Sequence, residues 1–407
     1  MTDRERLDYL KQMASEVLEA CTFEQKCDYL GESEIMRIAV PSGDGKYPSF
    51  WVRDCAMMAE SGLFLREDWK RYIQIIARHG INGPETKTLA NGLSAPPFAV
   101  ADHINYDGKP VFFPGTYSSG DDQGRGWCGF LPPLCDNYLF LSIAAEYLLK
   151  YDDPEVREEL EALAEPVWNA YCIDAETGLC ACDEAKRVVD WGFCDLIVKT
   201  GKLLFSSLLR LWAARLLAKA LGNPEYDRRA DQLAAVIRET FLERETGWLL
   251  SATGIGAQPD VWGTACAICF GVLVGEDAKA AANVLLAAYR SGDAVKDGYI
   301  RHVPKSRDFS VESAWECAPG LPNGHYQNGA WWSTATGWYA YALNTVSPEA
   351  ARNLMDDFIL HTKKHRLGGA PYEFFRDDSD EPSGFNYGTS AALPYVWFEK
   401  MIGLKPN

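Results

Sequence analysis

The chain has few cationic side chains for its length. Against 57 Asp and Glu stand 40 Lys and Arg, a formal net charge of −17 over 407 residues. Phosphate recognition needs clustered Lys and Arg, so nucleic acid is excluded as a partner, and anionic membrane surfaces are disfavoured for the same reason. No run reaches the ~18 uninterrupted apolar residues of a membrane-spanning helix. The N-terminus, MTDRERLDYLKQM, lacks the apolar stretch and small-residue cleavage site of a secretory leader, which points to a cytoplasmic protein. No Gly-x-Gly-x-x-Gly follows a strand pattern and there is no P-loop, so no nucleotide cofactor is expected. Histidine is scarce, with six in the chain. The Cys180–Cys182 pair has no second ligand pair to complete a zinc site, so no metal is expected either. The 12 cysteines sit mostly in apolar runs, such as Cys266 and Cys269, and read as reduced, small hydrophobic side chains.

What is present is helical periodicity over nearly the whole chain. Twelve segments follow one another: Asp3–Ala20, Asp54–Leu65, Glu67–His79, Asp136–Tyr151, Pro154–Tyr171, Leu196–Leu221, Pro224–Phe241, Trp262–Val274, Asp277–Tyr289, Trp331–Thr345, Pro348–His365 and Tyr387–Met401. Even-numbered segments are apolar on nearly all sides; odd-numbered ones keep a polar face. Helices apolar all round are buried, whereas those with one apolar stripe lie outside. Six inner and six outer helices in alternation predict an all-α fold, an (α/α)6 barrel, spanning residues 1–407 as one domain. Strand signals are weak and confined to loops, as at Val111–Phe113 and Trp248–Ser251. Inner-to-outer links are short (152–153, 222–223, 346–347). Outer-to-inner links are long (80–135, 289–330, 367–386) and fall together at the N-termini of the inner helices, where function is expected.

Each inner helix is introduced by a polar-aromatic cluster: Trp51 with Arg53 and Asp54, Asp136 with Tyr138, Asp190 with Trp191, Asp260 with Trp262, Tyr326-Gln327-Asn328 with Trp331 and Trp332, and Asn386 with Tyr387. An Asp at a helix start is in the simplest case an N-cap. That role does not account for the neighbouring Arg, Gln, Asn and Trp. Planar hydrogen-bonding groups for hydroxyls beside aromatic faces for ring carbons make a sugar-binding composition. The 13 tryptophans suit the same use, although a core also takes Trp for its large buried area. Trp127, the Trp315–Glu316 pair and His325, all in long loops, join the expected sugar contacts. Glycosidic cleavage needs a proton donor and a second carboxylate. Asp136, opening an apolar helix whose burial would raise its pKa, is the expected general acid. Glu373, between aromatics in a loop, is the expected base. The plainer roles are an N-cap for Asp136 and an ion-pair partner of Arg376 for Glu373.

These motifs resemble the six-hairpin glycosidase superfamily, which includes processing α-glucosidase, neutral invertase, the glycogen-debranching glucosidase domain and α-L-rhamnosidase. Trp51-Val52-Arg53-Asp54 is similar to the superfamily's aromatic-x-Arg-Asp, Asp136 with Tyr138-Leu139-Phe140 to its acid-bearing helix start, Tyr326–Trp332 to its Tyr-x-Asn-Gly motif, and Tyr372–Phe375 with Tyr387–Ala391 to its base loop and final helix. The resemblance implies sugar binding by Arg53 and Asp54, hydrolysis by inversion, and a small soluble substrate, since the β-domains of larger relatives are absent. The segment 113–123 departs from the invertase pattern. In the rhamnosidase branch the acid lies on an earlier loop, which makes Asp122, Asp121 and Asp54 rivals of Asp136. Other readings are a sugar epimerase on the same barrel using His103, His302 or His325, glycoside phosphorolysis, and a non-catalytic carbohydrate-binding protein. Arg53 is expected to be a solvated cleft residue.

Overall fold

A computed structural model describes residues 1–29, 33–124, 129–183, 185–186, 188, 198–307 and 324–403. Among them are twelve α-helices: α1 (Asp3–Ala20), α2 (Val52–Ala59), α3 (Arg66–Ile75), α4 (Leu134–Tyr151), α5 (Pro154–Trp168), α6 (Leu204–Leu221), α7 (Pro224–Phe241), α8 (Val261–Cys269), α9 (Gly275–Ser291), α10 (Thr336–Asn344), α11 (Pro348–His365) and α12 (Gly388–Met401). The boundaries follow local chemistry. The link from α4 to α5 is two residues. Asp152 takes the left-handed conformation at φ 46°, and Asp153 then caps α5 by accepting from the Glu155 and Val156 amides, with Pro154 in the first turn. Gly222 (φ 65°) and Asn223 repeat the device between α6 and α7, and Ser347 caps α11 ahead of Pro348. Each such cap stabilises its helix by about 1 kcal/mol.

The even-numbered helices are buried on all sides along most of their length, as the apolar composition predicts. They pack in succession: α2 on α4, α4 on α6, α6 on α8, α8 on α10, α10 on α12, and α12 on α2. The odd-numbered helices lie against them with one face buried, α7 on α6, α9 on α8 and α10, and α11 on α10. The first helix, α1, packs on α12 and α11, at the other end of the chain. Ion pairs from Asp3 to Arg352 (2.7 Å) and from Arg6 to Asp356 fix it there. Among the described residues no helix is long and apolar enough to cross a membrane. The nine described cysteines are free thiols.

Several inner helices are shorter than their apolar runs. Residues 331–335 do not belong to α10. Trp331–Trp332 is a strand that pairs with Phe374–Phe375 and Tyr299–Ile300 in a five-stranded antiparallel sheet, completed by Val295–Lys296 and Pro382–Ser383. Aromatic residues suit a half-buried pleated surface as well as a helix, and here backbone pairing wins. Likewise α2 ends at Ala59 and α8 at Cys269, and Val198–Leu203 precedes α6 without helix. Trp248–Ser251 makes only isolated bridges. A hairpin of Thr22–Cys27 with Glu34–Ala39 follows α1, and Phe50–Trp51 pairs with His103–Ile104, which pairs with Pro110–Val111.

Candidate active site

The N-terminal ends of the inner helices carry the polar groups. Arg53 and Asp54 lie in the first turn of α2 and Asp136 in the first turn of α4. Arg53 was expected in solvent; instead its side chain is 5% exposed and stands between two buried carboxylates. Its guanidinium is 3.5 Å from Asp102 Oδ1 and 3.6 Å from Asp136 Oδ1. Asp136 is not the N-cap of α4, a position held by Pro133. Nor are its surroundings only apolar, because a cation lies beside it, and a cation favours the ionised carboxyl.

Asp102 also binds His103, with Nδ1 2.8 Å from Oδ2. The imidazole is stacked on Trp51 at 4.3 Å. Half-exposed Tyr117 stands edge-on to both rings, at 6.0 Å from Trp51 and 5.5 Å from His103. The strand pairing of Trp51 with His103 sets this stack, by placing the two side chains across one rung.

Two further carboxylates are each held by a tyrosine. Tyr387, the N-cap residue of α12, donates to Asp54 Oδ1 at 2.9 Å. Tyr47 donates to Glu373 Oε2 at 2.7 Å. The Tyr47 ring lies 6.2 Å from Tyr387 and 5.6 Å from Trp51, which joins the two pairs to the Trp51–His103 stack. Burial pushes the Asp54 carboxyl up to about 8; Arg53 and the Tyr387 hydroxyl oppose the shift, and Glu373 and Asp102 add to it. Burial and the neighbouring Glu373 push the Tyr47 hydroxyl well above its usual range. The Glu373 backbone N–H donates to the carbonyls of Ser383 and Gly384. Gly384 has φ 66°, and a Cβ there would lie 2.7 Å from Glu373 Oε2, so glycine is required at that turn. Arg376 pairs with Asp378 and Glu381 rather than with Glu373.

On the opposite helices, Asp260 is the N-cap of α8 and accepts from the Gly263 amide at 2.6 Å. Trp262 is stacked on His302 at 3.9 Å, and Trp332 stands edge-on to both rings. Burial pushes His302 well below its usual value, with Lys199 and Arg301 adding to the shift, so this imidazole is neutral. Trp332 also touches Tyr326 and Phe374, the neighbour of Glu373. Trp331 is held differently: its indole N–H donates to Asp377 at 2.8 Å, under the Arg301 guanidinium. Gln327 and Asn328 are buried in a turn, where the Asn328 amide donates to His325 O. His325 is half-buried against Asp378 and Arg376. Asp121 and Asp122 are exposed, and Asp122 accepts from Ser118 Oγ at 2.6 Å.

The structure thus gathers Trp51, Arg53, Asp54, Asp136, Glu373 and Tyr387 through hydrogen bonds, ion pairs and ring contacts, with Trp262, Tyr326 and Trp332 joined through Phe374. Trp127, Asp190, Trp191, Trp315 and Glu316 lie outside the described residues. Tyr47, Asp102 and Gly384 were not foreseen. The adjacent His103 is the one signal in the sequence that could have led to Asp102; Tyr47 and Gly384 carry none.

No family model matches the sequence, and no curated protein matches it. Solved structures match in fold. A mannosylglycerate hydrolase from Thermus thermophilus, crystallised with glucose, superimposes with a TM-score of 0.55 at 15% identity, over 95% of this chain and 99% of that one. A cellobiose 2-epimerase from Bacillus thermoamylovorans gives 0.63 at 9% identity, over 98% and 99%. A rhamnosidase from Bacillus sp. GL1 gives 0.59 at 13% identity, over 97% of this chain and 35% of that one. The chain has the fold shared by these hydrolases and the epimerase.

Proposed function

We propose that the chain is a glycoside hydrolase built as one (α/α)6 barrel, acting by inversion on a small soluble glycoside. The succession of packing contacts from α2 round to α12 and back to α2 supports a closed ring of inner helices. The observation that carries the function is the gathering of two buried carboxylates, Asp54 and Glu373, each bound by a tyrosine beside aromatic walls. Glu373 receives a hydrogen bond from Tyr47 that favours its ionised form. Asp54 retains its proton to about pH 8. In this reading Glu373 takes a proton from water as the water attacks the anomeric carbon. The C–O bond to the leaving group breaks, and Asp54 delivers its proton to the departing oxygen. Asp136, the acid expected from its helix start, is fully buried against Arg53 and is assigned with Asp102 to hold that guanidinium in place.

The test is a screen of aryl glycosides and disaccharides, with NMR of the first-formed anomer, on wild type and on Asp54→Asn, Asp136→Asn, Asp122→Asn and Glu373→Gln. The acid is the residue whose loss abolishes turnover of disaccharides and spares substrates with good leaving groups. Loss of that pattern at Asp54 and its presence at Asp136 or Asp122 moves the acid there. Retention of the anomeric configuration refutes inversion.

One observation favours a second reading, epimerisation. Among the described residues His103 Nε2 is buried with no hydrogen-bond partner, while Nδ1 is held by Asp102, an arrangement suited to moving a proton. Conversion of a disaccharide to its epimer without release of a monosaccharide would establish it.

A further inference from the structure

On the far side of the strand that follows Glu373 lies a cleft of about 510 Å³, within the ~300–1,000 Å³ range of small-ligand sites. Glu373 and Phe374 turn toward Tyr47 and Trp332, whereas Tyr372 and Phe375 turn the other way, toward His361. The cleft is therefore separate from the site above. One wall is a face of α11. Asp357, Leu360, His361, Lys364 and His365 recur at three- and four-residue spacing and so share one side of the helix. The neighbouring face, with Leu354, Met355, Phe358 and Ile359, is spent on the core. The facing wall is Tyr372, Phe375 and Pro382.

The charges nearly cancel. Asp297, Asp357 and Asp380 line the cleft with Lys364, and Lys296 pairs with Asp380. His361, stacked on Phe375 and against His365, is pushed by burial down to about 4 and is neutral at physiological pH. Three carboxylates disfavour a phosphate, and the lysines disfavour a polycation. Asp357 already accepts from Tyr289 and Asp380 pairs with Lys296, and the remaining groups suit an uncharged polyol: Asp297 accepts from hydroxyls, Lys364 and His365 donate, and the aromatic wall covers a ring's C–H face. We propose that this cleft is a second, non-catalytic carbohydrate site that takes a neutral pyranose.

Ligand-observed NMR and titration calorimetry with D-glucose, D-mannose and L-rhamnose test it on the full chain. Leu360 is 61% exposed, so Leu360→Trp fills the cleft without disturbing the core. Lys364→Ala removes a donor at an exposed position. At least one sugar is expected to bind wild type and Arg53→Ala alike, and to lose about tenfold or more in affinity in both cleft variants while their turnover is unchanged. Binding that disappears in Arg53→Ala, or that persists in Leu360→Trp, overturns the proposal. So does an absence of sugar binding with a rise in Tm on adding Zn²⁺ that His361→Ala and His365→Ala abolish, since the cleft is then a metal site. Failure of the hydrolase reading is distinct: it shows as absent turnover with cleft binding intact.

Discussion

Arg53→Ala separates a buried ion-pair hub from a solvated binding residue. In the structure one guanidinium serves Asp102 and Asp136, with side-chain exposures of 5, 2 and 0%. Removing one partner of a buried pair costs about 3–5 kcal/mol, because the remaining charge stays in a poorly solvating site. With 407 residues at ~2.1 cal/mol/K each, the unfolding entropy is about 0.85 kcal/mol/K, and the loss becomes a fall in Tm of about 4–6 °C. Adding Asp136→Asn to Arg53→Ala removes one of the two buried carboxylates beside the lost guanidinium and is expected to restore about 2 °C or more. Thermal melts by calorimetry, with activity normalised to folded protein, measure both effects. A single variant that melts within about 1 °C of wild type refutes the buried hub, as does a double variant no more stable than the single.

Asp54 binds its proton more tightly in the folded chain, at about 8, than in the unfolded one, at about 3.9. The stability tied to that proton is complete below the unfolded value and lost as pH rises to about 8. Asn at 54 can still accept from Tyr387 and cannot ionise, so the Tm of Asp54→Asn relative to wild type is expected to climb between pH 4 and 8; a pH-independent difference contradicts the shift. Tyr47→Phe removes a hydrogen bond to ionised Glu373, so the acid limb of the kcat/KM profile moves to higher pH; an unmoved limb means Glu373 is not the base. Gly384→Ala forces a methyl against Glu373 Oε2 and is expected to cost about a hundredfold in kcat; near-normal kcat contradicts a fixed base.

Helix positions were most legible where caps and periodicity agree. Asp3–Ala20, Pro224–Phe241 and Pro348–His365 begin after Thr2, Asn223 and Ser347, each of which accepts from the first turn. The inner helices were legible as buried but not in their lengths. An all-apolar run gives no period to tell helix from paired strand, so Trp331–Trp332 read as helix until the sheet with Phe374–Phe375 was seen. In the site, Arg53, Asp54, Asp136 and Glu373 stood out because charged residues beside aromatics break an apolar pattern. Tyr47 did not, since a tyrosine in a polar loop carries no periodic signal. The partners of Arg53 are 49 and 83 residues away in the chain, a pairing that only the packing of α2 against α4 and the strand at His103 reveals.

The docking of α1 on α11 and α12 has a consequence for biosynthesis. The apolar stripe of Leu7, Leu10, Met13 and Val17 is translated well before the surface it covers on α11 and α12. Roughly 330 residues separate the end of α1 from the start of α11, which at about 5–20 residues per second is a wait of about 15–65 s. Throughout that interval the stripe lacks its main partners, α11 and α12. The nascent chain therefore carries a persistent hydrophobic segment open to holdase chaperones, and the docking of α1 waits on the translation of α11 and α12.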